Sequence, residues 1–139
     1  MTAKAQLQSS GDGTAVPAGY VGENYPLKLN TDTSVSTANT SLISQSLGAG
    51  TWLVSAGITL ISATTNTGFI SLYQGTTASP IGAETSSYLN STRSFLNVSW
   101  VVNLSSPTVV GVFASVNTGS ATAAGTGGSR CYFVATRIA

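Results

Sequence analysis

Between Thr51 and Ser62 the chain alternates with period two: Trp52, Val54, Ala56, Ile58 and Leu60 share one face of an extended strand, and Leu53, Ser55, Gly57, Thr59 and Ile61 share the other. The pattern recurs at Phe95 to Leu104, with Leu96, Val98, Trp100, Val102 and Leu104 on one side. It recurs again at Thr108 to Val116, with Val110, Val112, Ala114 and Val116 on one side and Val109, Gly111 and Phe113 opposite. A period of two cannot be seated on a helix, so these segments commit the chain to sheet, and their first-named faces are the expected core.

Turn-forming clusters divide the rest into further short strands. Leu27-Lys28-Leu29 is one. Leu42 to Leu47, running through Gly48-Ala49-Gly50 into the Thr51 strand, reads as a hairpin. Phe69 to Gln74 follows an expected turn at Thr65-Asn66-Thr67-Gly68, and Gly75 to Pro80 breaks the chain before Ser86 to Leu89. Asn117 to Ser129 reads as a flexible stretch ahead of a last strand, Arg130 to Ala139. The fold class this predicts is all-β, an antiparallel jelly-roll-like β-sandwich of about eight strands over residues 25–139. Residues 1–24, punctuated by glycine and Pro17 with no sustained period, read as an extended N-terminal arm.

Composition narrows what such a sandwich can do. The chain has 139 residues, no histidine, one cysteine and nine charged side chains. Without histidine a Ser-His-Asp triad and histidine-based zinc sites are excluded. Asp12, Glu23, Asp32 and Glu84 are the only carboxylates, and three lie in or near the arm, away from the rigid frame that paired-carboxylate chemistry needs. The expectation is a non-enzymatic protein with no cofactor and no metal. The net charge of +1 comes from scattered residues, so neither nucleic acid nor an anionic membrane is an expected partner. No stretch is long and apolar enough for a membrane helix and none resembles a signal peptide, so synthesis in the cytoplasm is expected.

Several motifs have a bland reading beside a functional one. Cys131, in the run Cys131-Tyr132-Phe133-Val134-Ala135, is a small buried hydrophobe or a reactive thiol, and no histidine could activate it. Gly119 to Gly128 is a loop; no Gly-Lys-Ser/Thr follows it to make a phosphate site. Asn39, Asn90, Asn97 and Asn103 begin glycosylation sequons, but 41 serines and threonines make chance sequons abundant. Tyr20, Tyr25, Tyr73 and Tyr88 are candidates for stacking on sugars or for ordinary packing.

Strands that are apolar on both faces, as at Trp52/Leu53 and Val101/Val102, are either buried twice or covered by a neighbouring subunit. A small sandwich does not cover both faces of its own sheets, which favours the subunit. Val101, Tyr132 and Val134 are accordingly the expected oligomer-interface residues.

The run Leu47-Gly48-Ala49-Gly50-Thr51-Trp52-Leu53-Val54, the strand Phe95 to Leu104 and the ending Tyr132-Phe133-Val134-Ala135-Thr136-Arg137-Ile138 resemble the terminal head domains of tailed-phage fibres. The approach Thr14-Ala15-Val16-Pro17-Ala18-Gly19-Tyr20-Val21-Gly22-Glu23 is similar to the linker that enters such heads. The resemblance implies a jelly-roll or tumour-necrosis-factor-like sandwich that forms a homotrimer and serves as a virion part. Fibres carry a long shaft before the head, whereas about 24 residues stand here. The expectation is therefore a capsid decoration or cement protein, or a short head fibre, on the virion surface. Its partners would be the major capsid protein and itself, with Leu7, Val16, Pro17, Tyr20 and Val21 of the arm binding the capsid. Stretched, such an arm reaches about 80 Å. The alternative is the receptor-binding head of a tail fibre, with recognition on the loops Thr64 to Gly68, Gly75 to Ala83 or Asn117 to Ser129; a third reading is a monomeric carbohydrate-binding module.

Overall fold

The computed structural model describes residues 18–90, 93–126 and 131–139. Ten strands appear among them: β1 (Asn24–Lys28), β2 (Thr33–Val35), β3 (Thr40–Leu47), β4 (Gly50–Ile61), β5 (Thr65–Gln74), β6 (Pro80–Asn90), β7 (Arg93–Leu104), β8 (Thr108–Val116), β9 (Ala121–Ala123) and β10 (Tyr132–Arg137). They form two antiparallel sheets packed face to face, an all-β sandwich. The first sheet runs β1-β10-β4, with β7 along the other edge of β4 and β9 and β2 beside its end; the second runs β3-β8-β5-β6.

The alternating segments build the core as their spacing predicts. Trp52, Val54, Ala56, Ile58 and Leu60 of β4 are fully buried, and Leu96, Val98, Val102 and Leu104 of β7 join them. Ile70, Leu72, Val110, Val112, Ala114 and Val116 face them from the second sheet. Each large apolar side chain buried this way contributes about 1.5–3 kcal/mol.

Trp100 departs from its expected place. It has the parity of the β7 core face but is 46% exposed. The cause lies on β6: the β5–β6 register shifts between Ser71/Leu72, whose partners are Glu84 and Ile81, so Gly82 and Ala83 form a bulge. Gly82 adopts φ +71°, and the Trp100 ring lies against the space a Cβ there would fill. Three relationships place β6 beside β7 in one antiparallel register: Gly82 with Trp100, Thr85 Oγ1 donating to Asn97 O at 3.0 Å, and Ser94 Oγ donating to Tyr88 O at 3.5 Å. One side of the sandwich is thereby closed.

Three other expectations are corrected. β3 and β4 are not a hairpin: β3 pairs with β8 and β4 with β7 and β10, so Gly48-Ala49 carries the chain from one sheet to the other. Trp52 Nε1 donates to Gly48 O at 2.9 Å and holds that crossing. Thr65 to Gly68 is strand and not turn, because Asn66 is buried and its Nδ2 donates to Thr118 O at 2.6 Å, drawing the segment onto β8's end. Part of Asn117 to Ser129, read as flexible, forms β9, which pairs with β2 and with Leu60 and Ile61. The apolar positions of β2 and β9 are too few to show a period. Gly125 and Thr126 are fixed there by their backbone N–H groups donating to Asp32 Oδ1 at 2.8 and 2.9 Å.

Candidate functional site: the outer face of the first sheet

The two sheets treat their outer faces differently. On the second sheet Tyr73 and Phe113 lie with ring centroids 6.3 Å apart, and both are buried within the subunit. Tyr73 OH and Ser41 Oγ, 2.7 Å apart, share a hydrogen bond that satisfies the phenol there. These two rings are thus covered by their own chain, while Val109 and Tyr88 on the same outer face are 39% and 65% exposed.

Among the described residues the first sheet has no such cover. Its register places outward side chains in rows: Asn24, Thr136, Leu53 and Val101; then Pro26, Val134, Ser55 and Ser99; then Lys28, Tyr132, Gly57 and Asn97; then Thr59 and Phe95. Leu53, Val101 and Phe95 are 43%, 48% and 55% exposed. Among the described residues Lys28, at the rim, and Arg93, opposite Ile61 in the next row, are the charged residues of this face. Beside Leu53 and Val101, with Ser99 and Trp100, the surface dips into a shallow depression of about 410 Å³.

The polar groups of this face are already paired across strands. Asn97 Nδ2 donates to Tyr132 OH at 2.6 Å, Thr51 Oγ1 to Asn103 Oδ1 at 2.6 Å and Thr136 Oγ1 to Asn24 Oδ1 at 3.0 Å; Ser55 Oγ and Ser99 Oγ lie 2.7 Å apart. Covering such a face removes apolar area from water without stranding many donors or acceptors, which is what makes dehydration cheap. At its centre the rings of Phe95 and Tyr132, 6.3 Å apart, lie down over Gly57, where a Cβ would sit 2.9 Å from Phe95 Cε2. The absence of a side chain at Gly57 is what lets the aromatic pair lie flat.

Val101, Tyr132 and Val134, expected at an interface from their sequence context, therefore stand together on one face. Leu53, marked in the sequence by the doubly apolar Trp52/Leu53, belongs to the same surface, as do Phe95, Pro26 and Trp100, which are not among the expected interface residues; the exposed parity of β7 carries the signal for Phe95. Of the arm residues, Leu7, Val16 and Pro17 lie outside the described residues. Tyr20 is 42% exposed and Val21 half-buried, at the end of the sheet next to Arg137.

The remaining candidates resolve into structural roles. Cys131 is buried; that burial pushes its thiol above the ordinary 9.0, and its Sγ accepts from Thr59 N at 3.4 Å. Tyr25 donates to Glu23 Oε1 at 2.6 Å, and this bond, with burial and the Glu23 charge, raises the phenol above 10.0. Tyr88, by contrast, is exposed. The Asn97 and Asn103 amides of two sequons are engaged in the cross-strand pairs above. Among the described residues no group of three or more His, Cys, Asp and Glu is placed to hold a metal ion.

No protein-family model matches the chain, and no curated protein matches it either.

Proposed function

We propose that the chain is a non-enzymatic structural part of a tailed-phage particle, a capsid decoration or cement protein. In this reading it associates with copies of itself through the outer face of the first sheet and is held to the capsid by its N-terminal segment. The observation that carries the reading is that face: apolar, nearly uncharged, and with its hydroxyls and amides paired among themselves. Depletion of charge and enrichment in aromatic residues are the marks of surfaces that proteins cover with other proteins.

The alternative, a receptor-binding head, draws less support from the loops it would use. Thr65 to Gly68 is strand, and Asn117 and Thr118 are tied to Thr67 and Asn66.

Light scattering of the purified full chain tests the self-association directly. The expected result is an oligomer that Leu53→Asp or Val101→Asp converts to a folded monomer, because each buries an unpaired charge in the contact. A wild-type chain that stays monomeric, or an oligomer indifferent to both substitutions, would remove the outer face from the account.

A further inference from the structure

The side chains around Arg137 form a cluster that the proposed function does not use. The guanidinium is largely buried, with Cζ 5.1 Å from the centroid of the Trp52 ring. Its Nε lies 3.3 Å from Glu23 Oε2 in a geometry too poor for a hydrogen bond, so that contact is an attraction of charges. Nη1 donates to Gly19 O at 3.4 Å and Nη2 donates to Ala49 O. Glu23 in turn accepts from Gly19 N at 2.7 Å and from Tyr25 OH at 2.6 Å. Two backbone bonds of 2.8 Å, Gly22 N to Arg137 O and Arg137 N to Glu23 O, complete the set.

The two sides of this cluster differ in how firmly they are held. Trp52 is fully buried and Tyr25 packs against it with centroids 5.9 Å apart, so the floor belongs to the core. Ala18, Gly19 and Tyr20 are exposed, Val21 and Gly22 half-buried, and their ties to the sandwich run chiefly through Glu23 and Arg137. Gly19 and Gly22, at φ +89° and +94°, flank Tyr20-Val21 with backbone conformations that glycine reaches without strain. Nothing lies within 4 Å of a Cβ built on Gly19, so beyond its bonds to Glu23 and Arg137 no side chain packs against it there. Few contacts on one side, a core on the other and glycines at the joint are the features of a segment that opens locally.

We infer that Glu23, Arg137 and Trp52 form a releasable latch that sets the direction in which the N-terminal segment leaves the sandwich, and that the latch opens without the sandwich unfolding. Arginine suits the position because its planar fork meets a carboxylate, an aromatic face and two carbonyls at once. The inference is independent of what the segment before Ala18 binds.

Chymotryptic cleavage after Tyr20 in the full-length chain, followed by mass spectrometry, tests it. In the wild-type protein this cleavage should depend on urea much less steeply than cleavage in the sandwich, for example after Phe113, because local opening exposes little surface. Glu23→Gln and Arg137→Met should each accelerate it by about tenfold or more while unfolding of the sandwich stays cooperative. Arg137→Lys keeps the charge opposite Glu23 but not the fork, and should fall between. Cleavage after Tyr20 with the urea dependence of global unfolding, or rates in the variants equal to wild type, would overturn the latch.

Discussion

The ring of Trp100 occupies the space that a side chain on Gly82 would need: a Cβ built there lies 2.6 Å from Trp100 Cγ and 2.7 Å from Cε3. The bulge on β6 and the outward turn of Trp100 are therefore one feature. Gly82→Ala should cost about 2–4 kcal/mol, because it forces the indole to move and places alanine at φ +71°. A lowered urea midpoint together with a shift in tryptophan emission checks this; an unchanged emission maximum would mean that Trp100 does not rest on Gly82.

A methyl group at Gly57 would overlap the Phe95 and Tyr132 rings. Gly57→Ala should lower stability by about 1–3 kcal/mol and weaken the Asn97–Tyr132 bond. Adding Phe95→Ala, which vacates the space, should restore part of the loss. The double-mutant cycle in urea measures that coupling, and strict additivity would contradict the stacked arrangement.

Asn66 is buried and ties Thr118 to β5 through Nδ2, while its Oδ1 accepts from the N–H groups of Thr67 and Thr118. Asn66→Ala removes these partners from Thr118 N and O, while Thr67 N keeps Asn117 Oδ1 at 2.9 Å, and should cost about 1–3 kcal/mol. Hydrogen exchange should rise more at Thr118 than at Thr67 in this variant; protection retained at Thr118 would show that the amide is dispensable.

Alkaline stability follows from Cys131 and Tyr25. Each has its folded-state pKa raised above the ordinary values of 9.0 and 10.0, so the unfolded chain loses these protons at lower pH than the native one. Stability from both is fully present below about pH 9 and is lost as pH climbs through the raised values. Urea midpoints should be flat from pH 7 to 8.5 and fall beyond pH 9, with Cys131→Ala removing the first part of the fall. In the same range of pH 7 to 8.5 a thiol reagent should modify Cys131 only after unfolding, since the residue is 1% exposed. Rapid modification of the native protein would contradict the burial.

The long strands were legible because burial of one face imposes period two over nine to twelve residues. The expected spans at Trp52, Val98 and Val112 match β4, β7 and β8 closely. What escaped depends on contacts between distant segments. Nothing local to Ala121-Thr122-Ala123 marks a strand; β4 and β2 make it one. Thr65 to Gly68 has turn composition and is drawn into β5 by its pairing with β6 and β8. Trp100 has core parity and is turned outward by a bulge on another strand. On the outer face, Val101, Tyr132 and Val134 are legible in the sequence as apolar residues of strands that are apolar on both sides. The pairing of its polar groups, which favours covering by another protein, needed the register.

The central claim is that this sandwich is a component of a particle. Co-sedimentation of the full chain with phage heads lacking it, with host cells as the competing partner, tests that claim most directly. The account predicts saturable binding to heads, lost when residues 1–20 are deleted while the folded oligomer remains. Binding to cells alone, or to heads with equal occupancy after the deletion, would contradict it.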